Sequence, residues 1–325
     1  TVLESVYELP YLAHAAMEPL NCTVRLSAGR CEIWTGTQFQ TLDQLAAARV
    51  AGLEPAQVTV HTTFLGGAFG RRANPANDFV VEAVHVAKAA GMPVKTVWSR
   101  EDDMRGGYYR PAFVHRLRAA LGDDGTIDAF AATSVGQSIL GGTPFAAMIK
   151  DGIDSSSVEG LADSPYLESI ADRRVDLHSP QSGVPVLWWR SVGHTHTAFA
   201  LESFLDEIAH ATRQDPLALR RRLLGAAGAK GRRNLAALDK AAAAFGWERA
   251  RPEGHGQGIA GHESFGSHVA QVVEVSVSGG RVRVHRVVCA IDCGVFVNPL
   301  GIEAQVQGAI VYGLSAALAG QITFK

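Results

Sequence analysis

No apolar run in the 325 residues reaches the roughly 18 that a helix needs to cross a bilayer, so no membrane span is expected. Charge of one sign is equally scarce. Thirty Lys and Arg against 32 Asp and Glu leave a formal net charge of −2, and without a basic bias nucleic acid is not an expected partner. Cysteine is sparse too: Cys22, Cys31, Cys289 and Cys293 form no CxxC and no iron–sulfur spacing, so no cluster is expected on this chain. They read as small buried hydrophobes and leave the redox compartment open. Several catalytic signatures are also missing. Gly66-Gly67-Ala68-Phe69-Gly70 has the wrong spacing for GxGxxG, no GK[ST] follows it, and Glu263-Ser264-Phe265-Gly266-Ser267 lacks the first glycine of GxSxG. A nicotinamide-dependent dehydrogenase and a serine hydrolase are correspondingly disfavoured. No initiator Met or signal peptide precedes Thr1, and Gly320–Lys325 reads as a strand just starting, so both ends are expected to be cuts through a larger protein.

What is present is ordinary globular material. The chain is 47% hydrophobic and 19% charged, enough for a sizeable core in one large domain or two smaller ones. Strands are expected at Cys22–Leu26, Arg30–Thr35, Val58–Thr62 and Val94–Trp98. Hairpins are expected at 113–121 with 127–133, and at 269–277 with 281–290 through Ser278-Gly279-Gly280. Helices are expected at Leu42–Val50 behind a Thr41–Gln44 capping box, at Asp78–Ala90 stopping at Gly91, and at Phe199–Thr212. Three more follow: one started by Asp215-Pro216 and ended by Gly225, then Leu235–Phe245 and Glu303–Ala319. The segment 136–163, rich in Gly, Ser and Asp, reads as a long loop or lid, and 227–233 as an exposed, mobile connection. Hairpins mixed with helices and no strict βαβ alternation predict an α+β fold with mixed and antiparallel sheets. The whole of 1–325 is expected to be one domain region; division into 1–135 and 165–325 around the loop is the alternative.

Three segments could carry chemistry. Gly66-Gly67-Ala68-Phe69-Gly70-Arg71-Arg72 lies between a strand and a helix, where glycines let backbone approach a ligand and the arginines could pair with phosphate. Spacing alone favours a plain tight turn. Trp188-Trp189-Arg190-Ser191-Val192-Gly193-His194-Thr195-His196 puts an arginine before a helix, a reasonable anion anchor. His194 and His196 alternate as on one face of a strand, yet no third ligand stands at a zinc spacing, so they read as polar loop residues. Cys289–Pro299 followed by Glu303-Ala304-Gln305-Val306-Gln307 ends a strand in a loop and opens a helix with amides near its start. That suits a polar heterocycle or a buried loop whose amides satisfy one another. Glu101-Asp102-Asp103 and Asp123-Asp124 fall at helix starts and turns, where capping explains them.

Taken together and in order, these segments resemble the large, molybdopterin-binding subunits of the xanthine dehydrogenase and aldehyde oxidase family. His14-Ala15-Ala16-Met17-Glu18-Pro19 resembles its H-x-x-[ML]-E-P, Trp34-Thr35-Gly36-Thr37-Gln38 its W-T-x-T-Q, and Gly66–Gly70 its G-G-x-F-G. The trailing Arg71-Arg72, Trp98–Asp103, Tyr109-Arg110-Pro111 and Val284–Gly294 resemble the isoquinoline 1-oxidoreductase β-subunit and aldehyde dehydrogenase branch. The resemblance implies a molybdenum–molybdopterin cofactor, in bacteria usually the cytosine dinucleotide form. It implies hydroxylation of a carbon beside a ring nitrogen, or of an aldehyde, with water as oxygen source and a glutamate as base. Electrons would leave through a separate small [2Fe-2S] subunit. Gln38 would bond near the apical oxo ligand; Gly67, Ala68, Phe69 and Gly70 would contact the molybdenum end of the pterin. Arg190 would stabilise charge near substrate, and Gln305 would bind on the sulfido side. Gln38 and Arg190 are thus the implied catalytic residues, and no side chain of this chain is an implied metal ligand.

The departures are specific. The family's G-E-P-G segment with its catalytic glutamate, and its M-G-Q-G and T-G-G-S segments, do not occur in the 325 residues. The isolated chain is therefore expected to lack part of the cofactor grip, to be inactive, and to need the remaining parts of the large subunit. A non-catalytic fragment or scaffold is the alternative. Family resemblance slightly favours the periplasm over the cytoplasm. Substrate residues are expected in the 136–163 loop and beyond the chain.

Overall fold

A computed structural model describes residues 1–324. In chain order the strands of the first part are β1 (Val2–Leu9), β2 (Leu12–Ala13), β3 (Asn21–Ser27) and β4 (Arg30–Thr35). They are followed by α1 (Gln40–Ala51), β5 (Val58–Thr62), α2 (Asp78–Ala90), β6 (Val94–Val97), α3 (Arg100–Arg105) and β7 (Tyr109–Arg110). Then come β8 (Phe113–Leu121), β9 (Ile127–Gly136), β10 (Asp172–His178), α4 (His194–Ala211), α5 (Pro216–Ala226) and α6 (Arg232–Phe245). The chain closes with β11 (His255–Ser264), β12 (Ser267–Ser278), β13 (Arg281–Asp292) and α7 (Pro299–Leu318).

The fold is α+β, as the hairpins predicted. One sheet has the order β5-β4-β3-β6, a second β1-β8-β9-β10, a third β11-β12-β13, and β2 pairs with β7. Only β4 with β5 and β9 with β10 run parallel among the described pairs. Two apolar cores result. In the first, Phe79, Val80, Ala83, Val84 and Ala87 form one stripe of α2 and press on Val24, Cys31 and Ile33 of the β3–β4 hairpin. In the second, alternate residues of β8, Leu117, Ala119 and Leu121, meet Phe204, Leu205 and Ile208 of α4 and Leu238 and Phe245 of α6. A fully buried Leu or Phe of this kind contributes about 1.5–3 kcal/mol.

Local chemistry explains many boundaries. Gly91 takes φ 64°, the left-handed conformation that stops α2. The Asp215 carboxylate accepts the Ala218 N–H at 2.8 Å and Pro216 opens α5, as expected. Ser99 and Asp102 make a reciprocal capping box on α3, so the Asp102 carboxylate is a cap as expected.

Other boundaries differ. The Thr41–Gln44 box does not form. The helix begins at Gln40, and the Gln44 amide instead donates to Pro55 O at 3.1 Å and Val58 O at 2.8 Å, tying α1 to β5. α4 begins five residues before Phe199, because its first turns bury His194, His196 and Thr197, polar residues that hide an inward stripe. α6 starts three residues early. Gly231 before it lies so close under the Leu224 carbonyl that no side chain would fit, and Ala227 is buried, so 227–233 is packed in part. The 136–163 loop likewise buries Ile139, Leu140, Val158 and Leu161, and the buried Asp154 caps its turns. β1, β10 and β11 were outside the expected strands. β10 is a polar edge, and three glycines weaken the strand signal of β11.

Candidate active site

The glycine-rich turn after β5 is held by two of the other motifs. Glu18 N–H donates to Gly66 O at 3.2 Å, and Gly66 N–H returns to the Glu18 carboxylate at 2.8 Å. Arg72, 1% exposed, runs beneath the turn. It donates to Gly36 O at 3.1 Å, to Gly67 O at 3.3 Å and to the Glu18 carboxylate at 2.9 Å. Burial pushes the Glu18 carboxyl up, but Gly66 N–H, Asn21 and Arg72 together hold it below the usual range. Arg71 makes a two-pronged pair with Asp78 at 3.1 and 2.6 Å. Both arginines are therefore committed to the protein, and the expectation that they could pair with phosphate is corrected: they build the turn.

The turn itself needs unusual backbone. Gly67, Phe69 and Gly70 have φ of 101°, 55° and 108°. At Gly70 there is a steric demand as well, since a Cβ would fall well inside van der Waals contact distance of the Trp188 carbonyl oxygen. Gln38 hangs on the same network. Its N–H donates to Arg72 O at 3.0 Å while its side chain is exposed. The preceding Thr37 is buried and donates to Asp43, whose carboxyl burial pushes up to about 6.

The arginine segment docks against this turn from far along the chain. Arg190 N–H donates to Phe69 O at 2.7 Å, and the His14 ring donates to Trp188 O at 3.0 Å. Arg190 then reaches α7: its guanidinium donates to the Gln305 amide oxygen at 3.2 Å. Gln307 faces elsewhere, donating to Glu303 at 2.9 Å. The expected residues Gly67, Ala68, Phe69, Gly70, Arg190 and Gln305 thus converge, with Gln38 attached through backbone.

Tyr312 was not anticipated. Its ring stacks on Phe69 at 4.0 Å and on Trp189 at 4.5 Å between centroids, and its hydroxyl donates to His14 O at 2.8 Å. Each such pair contributes about 0.5–1.5 kcal/mol beyond burial. Helical spacing could have found it, because seven residues separate it from Gln305 and place both on one face of α7. Beside this convergence an open groove of about 550 Å³ is lined by Arg190, Gln271, Cys289, Asn298 and Gln305. A larger cleft of about 740 Å³ lies over the 136–163 loop, lined by Gln137, Ser138, Thr143, Asp154 and Gln181.

The two histidines are corrected from loop residues to buried members of the first turns of α4. His194 Nδ1 shares a hydrogen bond with His262 Nε2 at 2.8 Å, and His196 Nδ1 with His115 Nε2 at 3.0 Å. Burial holds all four rings below the ordinary histidine range, His115 and His262 at about 4, so they are neutral at pH 7. Glu159 accepts the Gly193 N–H at 2.8 Å, and burial pushes its carboxyl up to about 7. Among the described residues no three His, Cys, Asp or Glu are arranged to hold a metal ion, and no helix is long and apolar enough to cross a membrane.

Comparison with known proteins gives a consistent picture. Two family models, each described as a molybdopterin cofactor-binding domain, match residues 1–224 and 211–325. The isoquinoline 1-oxidoreductase β subunit of Brevundimonas diminuta is 32% identical over 94% of this chain and 39% of its own length. A membrane-bound aldehyde dehydrogenase of Gluconacetobacter polyoxogenes is 29% identical over 98% of this chain and 44% of its own. Quinoline 2-oxidoreductase from Pseudomonas putida 86 superimposes with a TM-score of 0.61 at 17% identity, over 84% of this chain and 36% of that one. The chain thus spans about two fifths of the length of the curated relatives named here.

Proposed function

The chain belongs to the molybdopterin cofactor-binding domain family, and on that premise we propose that it forms part of a molybdenum hydroxylase acting on N-heterocycles or aldehydes with water as oxygen source. The observation that carries this reading is the convergence at Arg190. Its backbone bonds the glycine turn and its side chain bonds Gln305, 115 residues further on. Nothing in the packing of either core requires that meeting.

The residues suit a polar, electron-rich heterocycle. Gln38 offers an amide with no protein partner among the described bonds, and Gln305 uses only its oxygen. Arg190 faces an open groove that also carries Gln271 and Asn298. They do not suit a phosphate at Arg71 and Arg72, whose charges are paired with Asp78 and Glu18. Any phosphate or dinucleotide end, including the cytosine form, is accordingly assigned to residues outside this turn. When bound, the molybdenum–molybdopterin supplies the two-electron chemistry. In our reading Gln38 and Gln305 would orient the group through their amides, and the Phe69 ring and Gly70 backbone would border its site. Arg190, placed by its backbone bond to Phe69 O and its guanidinium bond to Gln305, would offer a cation toward negative charge that develops on substrate. The base and the electron-accepting [2Fe-2S] subunit are assigned to polypeptide outside the 325 residues.

The test uses the intact protein. Molybdenum and pterin should be near stoichiometric, and isoquinoline or an aromatic aldehyde should reduce an artificial dye. Arg190→Met should lower kcat about 10²–10³-fold with molybdenum retained. No molybdenum, or no dye reduction with any heterocycle or aldehyde, refutes the assignment. The 325-residue chain expressed by itself should lose molybdenum on gel filtration, and near-stoichiometric retention would overturn that part.

A further inference from the structure

Four arginines are buried among the described residues: Arg71, Arg72, Arg110 and Arg220. Three of them face a carboxylate, respectively Asp78, Glu18, and the pair Glu202 and Asp206. Arg110, on β7 and 5% exposed, faces none. Its guanidinium donates to Pro10 O at 2.7 Å and lies 5.9 Å from the Trp189 ring, while its Nε has no partner. Burial lowers its pKa only to about 10, so it is charged at neutral pH. A buried charge without a counter-charge is strongly unfavourable. The carboxylates bonded to the segments lining this site are engaged elsewhere: Asp154 accepts from the Ser138 and Ser156 hydroxyls, and Glu159 accepts the Gly193 N–H.

Arg110 lines a small cavity together with Phe113, Ser157, Trp189, Val192 and His196. Its free space, about 10 Å³, admits one particle of roughly the size of a water molecule or halide ion. It is too small for a carboxylate side chain. His196 uses Nδ1 on His115, whose other nitrogen meets Ser134 Oγ at 2.8 Å. Only Nε2 of His196 is left for the cavity. In the tautomer where Ser134 donates to His115 and His115 donates to His196, that Nε2 carries a proton and is a donor. In that tautomer the cavity offers a cation and an N–H donor in mainly apolar walls.

We propose that this cavity is a binding site for a single small monovalent anion of the halide class, held by Arg110 and His196. Its position between β7 and the Trp189–Gly193 turn lets the ion pin the segment that carries Arg190. The site is separate from the groove at Arg190 and Gln305.

The test is anomalous diffraction from crystals of the intact protein soaked in sodium bromide. A bromide peak in hydrogen-bond contact with Arg110 is expected, and Arg110→Met should abolish it. In solution, replacing chloride by the much bulkier gluconate at constant ionic strength should lower Tm in the wild type and leave Arg110→Met unmoved. Should that variant fail to fold, Arg110→Lys, which keeps the charge, should retain the peak. Three results overturn the proposal: cavity density without anomalous signal while surface bromides are visible, which means water; a carboxylate of the intact protein against Arg110; or a bromide peak that survives in Arg110→Met.

Discussion

Replacing Gly70 by alanine asks the most of this structure with the fewest atoms. Two costs combine. At φ 108° an L-residue is held in a sparsely populated region, which costs about 1–3 kcal/mol. The new Cβ also overlaps the Trp188 carbonyl oxygen, a backbone atom that accepts the His14 ring and cannot swing aside as a flexible side chain would. Overpacking of that kind costs about 1–3 kcal/mol more. An unfolding entropy of about 2.1 cal/mol/K per residue over this length converts each kcal/mol into about 1.5 °C of Tm. Gly70→Ala should therefore lower Tm by about 3–9 °C. The control is Gly91→Ala, at φ 64° with open space around the Cβ. It carries only the left-handed penalty of about 1–2 kcal/mol, hence about 1.5–3 °C. Thermal fluorimetry of both variants in one buffer decides the matter. Equal shifts would show that the close approach of Trp188 to the glycine turn is not a constraint, and the docking of the Arg190 segment derived from it would fall.

Other expectations are smaller experiments. Arg220 is wholly buried between Glu202 and Asp206, so Arg220→Met leaves the buried Glu202 uncompensated and should cost about 3–5 kcal/mol. Adding Glu202→Gln should recover part of it, and a double variant no better than the single one argues against a buried pair. Asp215→Ala removes the α5 cap and the bond from Trp247 Nε1 at 3.0 Å, and chemical denaturation should show a loss of about 1–2 kcal/mol. Acid should unfold the protein partly through histidine. His14, His115 and His262 are held by burial at about 4 against an ordinary 6.5, so their contribution is complete above pH 6.5 and is lost as pH falls toward 4. Asp43, raised by burial to about 6 from 3.8, works the other way: its contribution is present below pH 3.8 and is lost as pH rises through 6. Asp43→Asn should thus steepen the rise of Tm with pH between 4 and 6, and an unchanged slope would contradict the burial of that carboxyl.

How much was legible along the chain depends on how local the cause is. α2, α5 and both hairpins carry their reasons within a few residues: an apolar stripe, an Asp-Pro start, a glycine at a turn. The start of α4 does not. His194 and His196 look like surface residues until His262 and His115, 68 and 81 positions away, are seen to satisfy them. Gln44 shows the same thing at short range: a capping box would use its amide oxygen on the Thr41 N–H, and packing instead sets its amide nitrogen against Pro55 O and Val58 O. Residue type lets Arg71 and Arg72 pair with phosphate, and only the placement of Glu18 and Asp78 shows that their charges are already met. The seven-residue spacing puts Tyr312 on the Gln305 face of α7, but nothing in a helix sequence says which ring it will stack on.

Hairpins mixed with helices determined the α+β class, and motif order determined the family resemblance and the list of residues to watch, because each motif is a short run whose backbone or side-chain chemistry is locally required. Tertiary structure decided which of those residues meet and which are spent holding the others. Glu18 and Arg72 make the glycine turn, Arg190 is carried to Gln305, and Arg110 is left as a buried cation without a carboxylate among the described residues. Long-range pairing of buried polar groups is a property of packing, and residue spacing does not encode it.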